Sequence, residues 1–269
     1  MDPDDLIQDK EKNVFRRSLY PIAVLFMVAL PALAFAQSSA EKDTQSLLSA
    51  FLSYADLRLR SVQQTLEILA STTEVKSGKW EAMKGLLEVY QKSDGRMIVW
   101  YVLPDGTYYT LDRGLMDVTL KDRSYFGDLM AGKEIMGSLV VSKSTGQRSA
   151  VIAVPIWKEG KEIGGIGASL FLDRLSEDIV SVLGLRSDLA FFALAPNGQT
   201  TLHRDQDRHF LDPREQGSES MKKAVEEMLS RDAGESGYVF DNAHKKVIYK
   251  TSALTQWRFA ITMTTALSH

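Results

Sequence analysis

The fold is decided by the stretch Trp100-Tyr101-Val102-Leu103-Pro104-Asp105-Gly106-Thr107, which recurs as Phe191-Phe192-Ala193-Leu194-Ala195-Pro196-Asn197-Gly198-Gln199-Thr200. The two Pro-Asx-Gly turns lie 92 residues apart, and each joins an apolar, β-rich run to a second run with the composition of a strand. A second match relates residues 137–141 to residues 237–241, 100 positions further on. Internal repetition of this kind is typical of duplicated supersecondary units. The sequence therefore predicts two similar lobes in tandem.

The composition fits a globular protein with a sizeable core. The chain has 269 residues, of which 44% are hydrophobic and 25% are charged, and its formal net charge is −3. It contains no block of Lys and Arg, so nothing in the charge pattern predicts binding to nucleic acid. It also contains no cysteine, which excludes thiolate catalysis, disulfides and zinc–thiolate sites.

Residues 1–36 have the pattern of an export signal. Arg16 and Arg17 precede a short apolar run at 22–30, and Ala34-Phe35-Ala36 supplies small residues where a signal peptidase cleaves. The alternative is an uncleaved anchor, because residues 19–36 form an apolar stretch of 18 residues, the lower limit for spanning a membrane. Both interpretations place the body outside the cytoplasm, either periplasmic or secreted, or held at the inner membrane by this segment.

A long helix is predicted over residues 37–78. Its apolar residues recur at alternating steps of four and three through Leu48, Leu52, Ala55, Leu59, Val62, Leu66 and Leu69. This spacing indicates one apolar stripe along the helix. The stripe packs along the two lobes of the same chain or forms the seam of a homodimer, and the two roles are compatible if the helix serves both surfaces.

The rest of the chain alternates short strands with a few helices. Helices are predicted at 80–92, 173–184 and 218–231. Strands are predicted at 97–103, 107–111, 137–142, 148–155, 163–172, 189–195, 200–203, 237–241, 246–251 and 257–262. Antiparallel strands with helices on one side predict an α+β fold of PAS type.

Several motifs resemble the double Cache (dCache) family of extracytoplasmic sensor domains. They are Leu120-Lys121-Asp122-Arg123-Ser124-Tyr125-Phe126, Val141-Ser142-Lys143-Ser144-Thr145-Gly146, Val154-Pro155-Ile156, Gly164-Gly165-Ile166-Gly167 and Leu172-Asp173. The resemblance implies a membrane-distal lobe at 79–173, a connecting helix at 174–186 and a membrane-proximal lobe at 187–269. Such domains usually sit between two membrane helices, whereas this chain ends soon after Trp257. We therefore expect it to signal through a membrane receptor or kinase as a partner.

The resemblance also implies a ligand site in the distal lobe. Arg123, Tyr125 and Phe126 match the family's Arg-x-Tyr-Phe motif, and we add Trp100, Tyr101, Tyr109, Ser142 and Asp173 as candidate ligand contacts. The planar guanidinium of Arg123 suits a carboxylate. The amino-acid-sensing branch of the family has an acidic residue on the last distal strand, where our alignment places Ala168. We therefore expect an organic acid rather than an amino acid.

Each candidate also has a purely structural interpretation. Arg123 follows Asp122 and would form a surface ion pair with it, while Trp100 would fill the core on its strand. In the same way, Tyr125 and Phe126 would simply begin a helix. If these interpretations hold, the protein is a structural or interaction module of a membrane signalling complex that binds no ligand.

No catalytic motif, metal site or cofactor site is predicted. The chain lacks the Gly-x-Ser-x-Gly elbow, the phosphate-binding loop and the His-Glu-x-x-His helix. One metal pattern was considered: in an extended chain, His203, Asp205, Asp207 and His209 would share a face. This stretch leads into Asp212-Pro213, which favours a polar loop instead. We therefore predict a sensor and not an enzyme.

Overall fold

Two antiparallel sheets and a long helix make up the protein, for which we use a computed structural model. The structure describes the backbone of residues 20–185 and 189–265, and the side chains of residues 42–185 and 189–264. The chain divides after Ser46 into two units, and apart from the first part of the long N-terminal helix everything described below lies in the second unit, Leu47–His269.

The predicted long helix is present, but it ends at Ser71, seven residues before the predicted end at residue 78. Helix α1 spans Tyr20–Ser71, the short helix α2 spans Thr73–Lys76, and α3 spans Trp80–Asp94. Thr72 separates the first two, and its side chain accepts a hydrogen bond from the backbone N–H of Val75. The predicted export signal or anchor, residues 1–36, lies outside the residues whose side chains are described. In the part of the chain that the structure does describe, no helix is long and apolar enough to cross a membrane.

The apolar stripe of α1 packs on the chain's own lobes, as the first of the two interpretations predicted. Six residues of the stripe are buried, namely Leu48, Ala55, Leu59, Val62, Leu66 and Leu69. They form one core with residues from both sheets. The stripe is therefore covered within a single chain, and a homodimer through the same residues is not supported.

The distal lobe is built on a six-stranded antiparallel sheet. Its strands are β1 (Met97–Val102), β2 (Thr107–Thr110), β3 (Gly114–Thr119), β4 (Ile135–Val141), β5 (Arg148–Lys158) and β6 (Lys161–Phe171), arranged in the order β3-β2-β1-β6-β5-β4. The sequence did not predict β3, a mostly exposed edge strand that contains Asp117 and lacks apolar alternation. One turn of helix, α4 (Phe126–Met130), lies between β3 and β4.

The proximal lobe repeats this plan with five strands. They are β7 (Leu189–Leu194), β8 (Thr200–His203), β9 (Ala233–Phe240), β10 (Ala243–Thr251) and β11 (Arg258–Thr265), arranged in the order β8-β7-β11-β10-β9. The connecting helix α5 spans Leu172–Val182, α6 spans Pro213–Gln216, and α7 spans Glu219–Ser230. In both sheets the first strand pairs with the last, so the two lobes share one topology.

The repeated turns have the same hydrogen bonds in both lobes. Gly106 N–H donates to the carbonyl of Leu103 and Gly198 N–H donates to that of Ala195, each at 2.9 Å. The side chains of Asp105 and Asn197 each accept a bond from the backbone N–H two residues later. Both glycines have positive φ, +88° and +95°, which explains why glycine occupies this turn position twice. The predicted duplication is therefore confirmed.

Aromatic side chains join the helix to the lobes. The ring of Phe51 on α1 meets Phe191 and Phe259 edge to face, with centroids 5.0 and 4.8 Å away. Trp257, just before β11, is 1% exposed and lies beside Gly137 of the distal lobe. Asp56 on α1 accepts a hydrogen bond from Ser252 Oγ at 2.7 Å. The two lobes and the helix therefore share one continuous core.

Candidate functional site

A small cavity lies in the distal lobe, on the sheet face turned away from α1. Its volume is about 20 Å³, which is enough for roughly one water molecule. Arg123 and Lys143 are the only charged residues among its lining, which contains no carboxylate. The lining residues are Trp100, Tyr108, Leu120, Arg123, Tyr125, Val140, Ser142, Lys143, Ser144 and Ser169.

The floor of this cavity is the indole of Trp100. On β1 the alternation of side chains sends Trp100 to the cavity face, where its Nε1–H donates to Ser169 Oγ at 3.1 Å. Gly167 on β6 pairs with Trp100, and an added Cβ at Gly167 would lie 2.3 Å from the indole. The glycine therefore makes room for the ring, as expected for a glycine in a strand.

Substituting Gly167 should show how closely the indole fits. We expect Gly167→Ala to destabilise the protein by about 1–3 kcal/mol, because the ring must leave its packed position. Gly237→Ala on β9 is a matched control in the same backbone region, since its nearest neighbour would be a carbonyl oxygen at 3.5 Å. That control should change stability by about 0.5 kcal/mol or less. Urea denaturation measures both, and equal effects would show that Trp100 is not held tightly.

Arg123 reaches the cavity from the segment before α4. One terminal nitrogen, Nη2, donates to the carbonyl of Val141 at 2.6 Å. The Nε–H is buried and has no hydrogen-bond partner among the described residues. The surface pair with Asp122 is not formed, because Asp122 instead contacts Lys143 Nζ at 2.6 Å. The guanidinium is therefore turned inward with part of its donor capacity unused.

Lys143 closes the cavity from the turn after β4. Its ammonium donates to the carbonyl of Thr119 and to the carboxylate of Asp122, both at 2.6 Å. The same turn carries Ser142, whose hydroxyl lies 3.1 Å from that of Ser144. These contacts fix the turn against the segment before Arg123. Lys143 belongs to the motif Val141–Gly146, but nothing in that motif marks it as a cavity residue.

Tyr125 and Phe126 both lie near the cavity, although only Tyr125 lines it. The Tyr125 ring stacks on Trp100, with centroids 6.2 Å apart. Burial raises the pKa of the Tyr125 hydroxyl, so it stays protonated and able to donate a hydrogen bond. Phe126 begins α4 and packs in the apolar cluster behind the cavity. The structure therefore gives Phe126 a core position.

Tyr101 and Tyr109 lie on the opposite face of the sheet from the cavity. They pair with each other across β1 and β2, while Val102 pairs with Tyr108. Tyr109 stacks on Trp80 at 5.2 Å, and Tyr101 donates to the carbonyl of Gly78 at 3.3 Å. Burial raises the pKa of Tyr101 to about 12. Both rings belong to the core on the α1 side, so the expectation that Trp100 and Tyr109 share a pocket does not hold.

Tyr108 is an aromatic residue of the cavity lining that the sequence did not single out, like Lys143 and Ser169. Residues that pair across two antiparallel strands point to the same face, and the tight turn fixes this pairing. Before the turn, Trp100 and Val102 alternate with Tyr101 and face the cavity. After the turn, Tyr108 pairs with Val102 and therefore faces the same side. The signal was therefore present in the sequence, and it required only the register across Pro104-Asp105-Gly106.

Asp173 and Ala168 also lie away from the cavity. Asp173 is in the first turn of α5 and lines an open cleft of about 410 Å³ together with Arg148 and His209. Ala168 packs in the core on the α1 side. The cavity-facing residue of β6 at this level is Ser169, one position later. The last strand therefore supplies a hydroxyl there, and no carboxylate.

The histidine-rich stretch after β8 does not form the extended face considered above. Strand β8 ends at His203, and Gln206–Arg208 forms a turn of 3₁₀ helix. Because this turn interrupts the alternation, the four acidic and histidine side chains do not share a face. Among the described residues, no group of three His, Asp or Glu side chains could hold a metal ion.

His203 should make stability depend on pH. Its Nδ1 accepts a hydrogen bond from the backbone N–H of Asp205 at 2.8 Å, and burial lowers its pKa to about 4. Between pH 6.5 and 4 the unfolded chain binds a proton that the folded chain does not, so stability falls as the pH falls. A shift of this size corresponds to about 3 kcal/mol.

Urea denaturation at pH 7 and pH 4.5 should reveal this contribution. The wild-type protein should lose about 2–3 kcal/mol more than His203→Gln between these two pH values. The exposed His244 provides the matched control, and His244→Gln should follow the wild type. Identical losses in the wild type and His203→Gln would show that His203 is not held neutral by burial.

Comparisons with known proteins find similarity in structure only. No protein-family model matches the sequence, and no curated protein matches it either. The ligand-binding domain of the Pseudomonas aeruginosa PAO1 amino acid chemoreceptor PctB, in complex with L-Arg, has 16% identity and a TM-score of 0.69, over 84% of this chain and 96% of that one. The ligand-binding domain of the Pseudomonas fluorescens chemoreceptor CtaA, with L-serine, has 16% identity and a TM-score of 0.68, over 85% and 98%.

A third structure agrees with these two. The sensory domain of the Campylobacter jejuni chemoreceptor Tlp3 (CcmL), with isoleucine bound, has 16% identity and a TM-score of 0.63, over 85% of this chain and 94% of that one. The similarity covers nearly all of each sensory domain and includes the long helix and both sheets. The chain therefore has the fold of the double Cache sensor domains, a long N-terminal helix followed by two PAS-like lobes.

Proposed function

We propose that this protein is an extracytoplasmic sensor that binds a small carboxylate in its distal lobe and signals through a partner protein. One observation carries the proposal: the buried Nε–H of Arg123 has no hydrogen-bond partner among the described residues, and the cavity that Arg123 lines contains no carboxylate. A buried, charged donor without a partner is costly. A carboxylate would satisfy it through the planar fork of the guanidinium.

The lining favours an organic acid over an amino acid. An α-ammonium group needs an anionic or acceptor-rich partner, and the strand that faces Arg123 across the cavity presents Ser169. Asp122 already balances the charge of Lys143, so Arg123 is the group that would attract a carboxylate and repel an ammonium group. The comparison structures contain amino acids, so this preference is a proposed difference between this protein and those chemoreceptors.

Binding requires the distal lobe to open. A cavity of about 20 Å³ cannot hold even a two-carbon acid, so the turn that carries Ser142 and Lys143 must move outward. This turn is held by the contacts of Lys143 with Thr119 and Asp122. A ligand that binds only the open form shifts the population of the two forms by its difference in affinity. Such a shift would alter the sheet that packs on α1.

The small cavity also supports a second function. If the lobe stays closed, the pocket is filled by its own side chains and the protein acts as an interaction module without a ligand. The stacking of Tyr125 on Trp100 and the double contact of Lys143 favour this state. The two functions differ in one measurable respect, which is whether any small carboxylate stabilises the folded chain.

Thermal unfolding of the full chain tests the proposal. The panel contains acetate, lactate, malate and succinate, with alanine, serine and putrescine as comparison compounds. A ligand at 100 times its dissociation constant stabilises by about 2.7 kcal/mol, which raises the midpoint by roughly 5–10 °C. We expect a rise with at least one organic acid and smaller rises with amino acids. A flat panel would favour the interaction module, and a larger rise with an amino acid would overturn the ligand class.

A further inference from the structure

The proximal lobe contains a larger cavity than the distal lobe, with a volume of about 230 Å³ against about 20 Å³. It lies between the five-stranded sheet and α7, beside the 3₁₀ turn Gln206–Arg208. Most of its wall is apolar or aromatic, and includes Phe192, Met221, Val225, Met228, Tyr238 and Phe240. An apolar wall with a few polar groups at one side is typical of a small-molecule site.

The internal repeat places this cavity where the distal cavity lies in the first lobe. Phe192 stands four residues before Pro196, as Trp100 stands four residues before Pro104. Each ring lies on the first strand of its sheet and lines the cavity of its lobe. In the distal lobe the larger indole packs directly against Gly167, and the cavity beside it is small. In the proximal lobe the smaller ring of Phe192 pairs with Ala260 and leaves the space open.

Charged groups occupy one part of the proximal wall. The guanidinium of Arg208 lies 5.1 Å from the centroid of the Phe240 ring. Lys245 and Asp241 also line the cavity, and the Lys245 ammonium donates to Thr264 Oγ1 at 2.6 Å. Arg208 also approaches the Asp205 carboxylate at 3.4 Å. A cation already covers the face of Phe240, so a cationic ligand would be repelled there. The two cations of the wall outnumber its single carboxylate.

His203 adds a neutral donor to this wall. Its ring stacks on Phe192 with centroids 6.5 Å apart. Its Nδ1 accepts from the backbone N–H of Asp205, which assigns the proton of the neutral ring to Nε2. Because burial lowers the pKa of His203 to about 4, the ring remains neutral at pH 7 and offers one N–H. Arg208, Lys245 and His203 thus supply donors at the rim of an apolar space.

We propose that the proximal lobe binds an amphipathic monocarboxylate, with an aromatic or medium-chain alkyl body in the apolar space and its carboxylate at Arg208 and Lys245. The volume agrees with this class, since a dry apolar cavity of about 150 Å³ holds benzene. The apolar body supplies affinity by burial, and the rim supplies orientation. This site is separate from the distal site and does not depend on the function proposed for it.

Isothermal titration calorimetry on the full chain tests this proposal with octanoate and phenylacetate as probes. Octylamine and octanol are the comparison compounds. We expect one site for each acid, with weaker binding of octanol and none of octylamine. Ala224→Phe fills the cavity from α7 and should abolish binding of both acids. Arg208→Gln should weaken octanoate about tenfold, because a charged hydrogen-bond partner is lost, and leave octanol unchanged.

Two controls locate the site. Arg231→Gln removes an exposed arginine from the same lobe and should leave octanoate binding unchanged. Arg123→Ala in the distal cavity should also have no effect, so binding lost in that variant would assign the acids to the distal site. Circular dichroism checks whether Ala224→Phe is folded. If Ala224→Phe does not fold, the loss of octanoate affinity in Arg208→Gln decides whether the acid binds in the proximal cavity. If neither acid binds, or if octylamine binds more tightly than octanoate, the proposal is overturned.

Discussion

Replacing Arg123 by alanine should weaken the binding of a small carboxylate about thirtyfold or more. The buried Nε–H of Arg123 has no partner among the described residues, and the other cation of the cavity lining, Lys143, is already paired with Asp122. Removing one partner of a buried charge pair costs roughly 2–5 kcal/mol, and 2 kcal/mol corresponds to about thirtyfold in affinity. Calorimetric titration of the acid that gives the largest thermal shift measures this loss.

Arg113 provides the matched control for this experiment. It is an exposed arginine in the same lobe, so Arg113→Ala makes the same change in net charge without touching the cavity. The control should leave affinity within a factor of two, because an exposed charge contributes little at physiological salt. Arg123→Lys should recover part of the loss, since it restores the charge without the planar fork. An affinity within twofold of wild type in Arg123→Ala would contradict the proposed site.

Most of the fold could be predicted because its signals are local. The Pro-Asx-Gly turns fix the hairpins through hydrogen bonds confined to five residues, and the same bonds appear in both lobes. The apolar stripe of α1 follows from the spacing of its residues alone. The helix predicted at 218–231 begins at Ser218, which caps α7: its hydroxyl accepts from the backbone N–H of Met221 and donates to the carbonyl of Val239. The edge strand β3 was missed because exposed edge strands need no apolar alternation.

The distal site was less predictable because it depends on register and packing. Choosing Tyr109 over Tyr108, or Ala168 over Ser169, is an error of one residue that moves a side chain to the other face of the sheet. The role of Lys143 depends on Asp122, 21 residues away, and no local pattern announces that contact. The volumes of the two cavities follow from how rings and helices fill space across the lobe, which a linear motif does not record.

Trp257→Ala should have the largest effect on stability, with a loss of about 3–5 kcal/mol. The indole is 1% exposed and packs near Phe259, with ring centroids 6.4 Å apart. It also fills the space left by Gly137, where an added Cβ would lie 3.1 Å from the indole. Truncation would therefore open a cavity between the lobes and remove the contact between Trp257 and Gly137 of the distal lobe. Guanidinium denaturation measures the change.

Trp157→Ala is the control because it removes the same atoms from a tryptophan that is 47% exposed. Its side chain covers Gly132 at the surface of the distal lobe, so we expect a loss of about 1 kcal/mol or less. Comparable losses in the two variants would mean that the lobes are not joined through Trp257. Because Trp157 lies outside the lining of the distal cavity, Trp157→Ala should also keep the ligand-induced thermal shift of the wild-type chain.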